Sequence, residues 1–120
     1  MKILIQNIRG INTKSKRRQA LQNARSKVGN TYKGPYDIIL YQEVRLQQHK
    51  LDLIKNEWGQ RGNEQRVFLS GTEDNALRGG VLTLIGNKTS IKNLEQRIVQ
   101  GHAIINLFKH KEIFWLIGNI

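Results

Sequence analysis

Residues 2 to 8, Lys-Ile-Leu-Ile-Gln-Asn-Ile, form a short, mostly apolar run ended by Gly10, the pattern of a strand with Asn7 near its C-terminal end. From Lys14 to Val28, Ala20, Leu21, Ala24 and Val28 recur on one helical face among basic and amide residues. That spacing predicts a helix, capped by Thr13 or Asn12. Residues 29–35 read as a polar loop with a turn at Gly34-Pro35, and Asp37 to Tyr41 as a strand buried on both faces. Strand, helix, strand points to a crossover unit. Leu51, Ile54 and Trp58 mark one face of a second helix from about Gln47 to Trp58, with Gly59 as its stop. Beyond it the period shortens. Strands are expected at 66–70, 80–85, 91–99, 103–109 and 113–120, with His110-Lys111 turning the last hairpin and 71–79 an exposed loop. No repeat and no domain boundary is visible, and the expected class is α/β in the α+β sense, with mostly antiparallel strands.

Composition narrows the picture. The 120 residues allow one domain at most, and 38% hydrophobic with 24% charged residues is ordinary for a globular chain. The chain lacks cysteine, which removes disulfide frameworks and thiolate metal sites. No apolar run reaches the length of a signal-peptide core or a membrane span, so a nuclear or cytoplasmic setting is expected rather than secretion or membrane insertion. The net charge of +11 is concentrated at the start: Lys2, Arg9, Lys14, Lys16, Arg17, Arg18, Arg25, Lys27 and Lys33 all precede the first acid, Asp37. A field of that sign attracts polyanions, of which a nucleic-acid backbone is the commonest, although a solvated basic helix face would carry the same residues.

Three segments, in order, carry a family resemblance. Ile5-Gln6-Asn7-Ile8-Arg9-Gly10-Ile11-Asn12 resembles the opening motif of the endonuclease/exonuclease/phosphatase family, with Gln6 where a Trp is frequent. Asp37-Ile38-Ile39-Leu40-Tyr41-Gln42-Glu43-Val44-Arg45-Leu46 is similar to that family's Gln-Glu strand motif and is the most specific of the three. Arg78-Gly79-Gly80-Val81-Leu82-Thr83-Leu84-Ile85 is similar to its Gly-Gly-Val strand. More narrowly, the chain resembles the endonuclease domains of LINE-type retrotransposons, which accompany a reverse transcriptase. The resemblance covers residues 1–120 but only about the N-terminal half of the family domain, a two-sheet DNase I-like α/β sandwich.

What the resemblance implies is Mg²⁺-dependent hydrolysis of a DNA phosphodiester, with Mn²⁺ as a possible substitute. Glu43 would be the metal-binding carboxylate. Asn7 would hydrogen-bond the scissile phosphate or orient the catalytic groups, and Gln42 would support the site from behind or point into the core. Arg9, Lys14, Lys16, Arg17 and Arg18 are the expected backbone contacts. The residue types suit the chemistry, because Mg²⁺ keeps several waters and takes only one or two protein carboxylates. Taken alone, Glu43 after an apolar strand reads as the first solvated residue, Asn7 as a turn former, and Arg78-Gly79-Gly80 as a simple turn. His49, His102 and His110 match no catalytic position of the family and are read as structural or surface residues, and Trp58 and Trp115 fall at core positions.

The apolar strand 113–120 ends without a polar tail, so the fold is expected to continue into a C-terminal half that carries the remaining family motifs. Those motifs supply the acid/base groups, and the 120 residues alone are accordingly expected to be inert. Other phosphate substrates within the family remain open, since substrate choice lies in loops. Two readings compete: a non-enzymatic basic module that binds nucleic acid, and a decayed retroelement product.

Overall fold

The computed structural model describes residues 1–25, 36–60, 62–73 and 78–120. Val28, the Gly34-Pro35 turn and the centre of the expected 71–79 loop lie outside the described residues. The elements run β1 (Ile3–Asn7), α1 (Lys14–Arg25), β2 (Ile38–Gln42), a 3₁₀ turn (Gln48–Lys50), α2 (Leu51–Trp58), β3 (Val67–Ser70), β4 (Val81–Ile85), β5 (Lys92–Val99), β6 (Ala103–His110) and β7 (Ile113–Asn119). They form a mixed α+β fold with two sheets, one ordered β1-β2-β4-β3 and the other β5-β6-β7. Among the described strands β1 and β2 pair parallel, as their helical crossover requires, and the other strand pairs are antiparallel. Among the described residues no helix is long and apolar enough to cross a membrane.

The period of two along β2 builds the core in two layers. Ile39 and Tyr41 face the helices and join Leu21, Ala24, Ile54, Trp58, Leu82 and Leu84 in one buried cluster. Ile38 and Leu40 face the other way and meet Phe68, Val81, Ile104 and Phe108 beneath the second sheet. A strand inside two apolar layers cannot alternate with polar residues, and the uninterrupted Ile-Ile-Leu-Tyr run follows.

Local chemistry sets the element ends. The Thr13 hydroxyl accepts from the Lys16 backbone N–H at 3.3 Å, so Thr13 caps α1. Gly59 sits at φ 85°, where a side chain is disfavoured, and closes α2 as expected, with its N–H donating to Lys55 and Asn56. Trp58 is fully buried, and its indole N–H donates to the Ile85 carbonyl at 2.9 Å.

Four expectations need correction. The first turn of the second helix, Gln48–Lys50, is 3₁₀ rather than α, and Gln47 before it makes no side-chain cap. Gly71 is buried rather than part of an exposed loop: a methyl there would lie 2.5 Å from the Gln48 backbone nitrogen. The last hairpin turns at Lys111-Glu112, one residue later than expected, with both residues at positive φ (50° and 64°) as the twist of a two-residue turn demands. Trp115 is only partly buried against the inter-sheet cluster.

Tyr41 joins β2 to α1, its hydroxyl donating to the Ala20 carbonyl at 2.7 Å. Burial, and secondarily the charge of Tyr36, pushes its pKa from 10 up to about 12. The fold therefore holds the neutral phenol. Its contribution is complete below about pH 10 and is lost as pH rises through about 12. Phenolate absorbance should show one of the three tyrosines titrating late, and Tyr41→Phe should delete that phase. The same variant should lower stability to urea by about 1–2 kcal/mol at neutral pH. Survival of the late phase in Tyr41→Phe would refute the assignment.

Candidate functional site

The candidate residues gather where β1 and β2 end. Asn7 and Gln42 are register partners at the last rung of the parallel pair. Backbone pairing then continues past both strands: Ile8 N–H donates to Gln42 O (3.1 Å), Gly10 N–H to Glu43 O (2.7 Å) and Ile11 N–H to Val44 O (3.0 Å). On the other side, Val44 and Arg45 donate to the Gly80 and Gly79 carbonyls at 3.1 and 3.0 Å. Three segments are thus bonded side by side around Glu43. The third motif of the sequence supplies one wall through Gly79 and Gly80.

This geometry is strained. Arg9, Glu43 and Arg45 adopt φ of 51°, 54° and 54°, beside Gly10, Gly79 and Gly80, also at positive φ. Each non-glycine residue there costs on the order of 1 kcal/mol. The backbone bonds hold them in place and re-aim the Glu43 side chain from the path of the strand. Its Oε2 accepts from the Gly79 N–H at 2.9 Å and lies 3.8 Å from Arg45 Nε. Oε1 has no hydrogen-bond partner among the described residues, and the side chain is 32% exposed. Arg45 Nε is buried without a hydrogen bond, and its aliphatic stem closes over Gly10. The Glu43–Arg45 contact is therefore a loose ion pair.

Asn7 is exposed, and its Oδ1 accepts from the Arg9 backbone N–H at 3.2 Å. One side of the amide shapes the loop, leaving Nδ2 open among the described residues. Gln42 turns away from solvent: Nε2 donates to Asn119 Oδ1 at 2.8 Å and to Leu40 O at 3.2 Å. Its amide is directed to β7. Asn119, 1% exposed, donates through Nδ2 to Leu82 O (3.0 Å), Thr83 Oγ1 (3.2 Å) and Tyr41 O (3.4 Å). It is the residue that sequence reasoning passed over. Asparagine inside an otherwise apolar strand, with no charge nearby, was the available signal.

The expected basic contacts do not form one patch. Lys16 faces β1 and lines an open groove of about 300 Å³ with Arg9, while Lys14 and Arg18 line another of about 390 Å³ on the α2 side with Arg25 and Glu57. Arg17 is a correction to the expected surface set. It is 6% exposed, with Nε 2.7 Å from Glu57 Oε1 and Nη1 donating to Asn12 O, because its place on the α1 turn aims it into the gap before α2. A buried, doubly bonded guanidinium stitches helices together and is not presented to a phosphate.

The β5–β6 turn also reaches this end of the fold. Gly101 O accepts from Gly80 N–H at 3.2 Å and Val99 O from Ser70 Oγ at 2.7 Å, which places the His102 backbone near the Gly-Gly wall. His49 and His110 belong to the 3₁₀ turn and the end of β6. No group of three His, Cys, Asp or Glu side chains with metal-holding geometry occurs among the described residues. No protein-family model and no curated protein matches the chain.

Replacing Asn119 by Ala strands the Gln42 amide and a buried strand junction, and should lower urea stability by about 2 kcal/mol or more. Asn119→Asp should be worse at neutral pH than at acid pH, since an ionised acceptor would face three oxygens. Equal stability of Asn119→Asp at both pH values would contradict this geometry.

Proposed function

We propose that the chain is the N-terminal half of a DNase I-like domain whose activity is Mg²⁺-dependent cleavage of DNA phosphodiester bonds. The observation that carries the reading is the placement of Glu43. The most specific motif of the sequence ends on a carboxylate that the backbone holds at positive φ, with one oxygen bonded to Gly79 and the other unengaged among the described residues. Strain maintained by flanking hydrogen bonds is typical of a functional position.

The residues present fit a hard divalent cation. One partly exposed carboxylate suffices for Mg²⁺, which retains most of its waters, and Mn²⁺ accepts the same oxygen ligand. Glu43 would hold the ion, which when bound polarises a phosphoryl oxygen. The open Nδ2 of Asn7 donates toward a phosphate oxygen from the adjacent strand end, and Arg9 and Lys16 draw the backbone to that rim. The Gly79 N–H keeps the carboxylate oriented before any cation arrives. Glu43 and Asn7 provide neither a base for water nor an acid for the leaving oxygen, so hydrolysis requires groups from the C-terminal half. A nick that leaves a free 3′-hydroxyl is the product a reverse transcriptase of a LINE-type element could extend, which supports that narrower assignment.

The basic grooves favour a second reading, a nucleic-acid-binding module without catalysis. Two measurements separate them. Mn²⁺ added to the 120-residue chain should bind weakly and lose that binding in Glu43→Ala; unchanged Mn²⁺ affinity in the variant would sink the metal assignment. Nicking of supercoiled plasmid by a chain that carries the proposed C-terminal half should fall at least about a thousandfold in Glu43→Ala. DNA binding that persists in both proteins, with no nicking by either, would leave the binding module as the function.

A further inference from the structure

The groove beside β1 has a composition that phosphate attraction does not account for. Along β1, Gln6 points to the helix side of the sheet while Asn7 points to the other, since neighbours on a strand face opposite ways. Along α1, Lys16, Gln19 and Asn23 fall at i, i+3 and i+7 and share one stripe. The two elements enclose the groove of about 300 Å³, with Arg9 and Lys16 at its rim and the amides of Gln6, Gln19 and Asn23 along it. These three amides are exposed, and none has a hydrogen-bond partner among the described residues, so all three are open to a ligand. No acidic side chain lines the groove, and its floor is apolar, from Ile8 and Ala20 beside Tyr41.

Cations beside exposed amides match the edge of a duplex: phosphate for Arg9 and Lys16, base edge for the amides. Asn and Gln side chains offer a donor and an acceptor together, the pair that reads adenine, whereas lysine offers only charge. The groove shares Arg9 and Gly10 with the loop that follows Asn7, so a strand lying across Asn7 and Glu43 passes over its rim.

We propose that the groove between β1 and α1 is a base-reading subsite, in which Gln19 and Asn23 set sequence preference and Arg9 and Lys16 anchor the adjoining phosphate. The assignment of DNA as the strand rests on the proposed function. Binding is nevertheless measurable without cleavage, so loss of nicking and loss of base preference can be told apart.

The test is fluorescence anisotropy of the 120-residue chain with labelled duplexes that differ at single A·T or G·C pairs, over a series of salt concentrations, with single-stranded DNA and RNA in parallel. Lys16→Ala should weaken binding to every sequence and lower the salt slope by about one. Gln19→Ala/Asn23→Ala should leave that slope alone and shrink the spread between best and worst duplex by about fivefold or more. A double variant that keeps the full spread, or that weakens all sequences equally, overturns the proposal, as does RNA or single-stranded DNA bound with the same amide dependence in preference to duplex. The chain has no cysteine, which permits a second measurement. Asn23→Cys should form a disulfide with a duplex carrying a thiol-tethered base, while Ser90→Cys, exposed beyond β4, should not. Equal cross-linking at the two positions places the strand elsewhere.

Discussion

Buried hydrogen bonds fix how the two sheets meet, those of the Asn119 amide above all, with Ser70 Oγ to Val99 O beside them. Asn119 ends β7, yet its hydrogen bonds run to β2 and β4 of the other sheet, to Tyr41, Gln42, Leu82 and Thr83. An apolar interface between sheets tolerates sliding, because the hydrophobic effect has no direction. A polar group without solvent does not, since every lost partner leaves an unsatisfied dipole. Asn119 therefore converts contact between Phe108, Ile104 and the underside of β2 into a single register. Gln42, the partner of Asn7 across the parallel rung, is held by the same amide.

Around that fixed point the site end is built almost wholly from backbone. Glu43 owes its position to bonds made by its neighbours and to the Gly79 N–H, not to side-chain packing. Gly80 is constrained on three sides, since a methyl there would press to 3.2 Å against both Val44 and Thr72 and would lie 3.5 Å from Ser70 O. The walls of the site are accordingly glycine where backbones approach, and charged where the loops face solvent.

The legible parts of the chain were those governed by short-range rules. Ile38 to Tyr41 read as doubly buried because no polar residue interrupts them, Thr13 and Gly59 marked helix ends through their own chemistry, and the turn spacing of the meander revealed its strands. Glu43 and Asn7 were visible as a motif, but their meeting depends on a parallel register that no local pattern specifies. Arg17 was misread because charge in sequence carries no direction; only the arrival of Glu57 from α2, 40 residues away, turns it inward. Gly71 was misread for a similar reason, as its neighbour Gln48 is distant in the chain. Asn119 stayed hidden because its partners come from two other strands.

The topology also orders assembly in time. β5, β6 and β7 are joined by tight turns and need only nearby residues to find one another, whereas Ile3 must meet Ile38 and Asn7 must meet Gln42 across the whole first crossover. Closing that loop sacrifices chain entropy before any contact rewards it, so non-local parallel pairing is slow relative to a meander. The rung that carries Asn7 and Gln42 is the far end of that pairing. The pocket of strained backbone around Glu43 depends on that pairing, because the bonds from Gly10 and Ile11 that hold it form only once the crossover has closed.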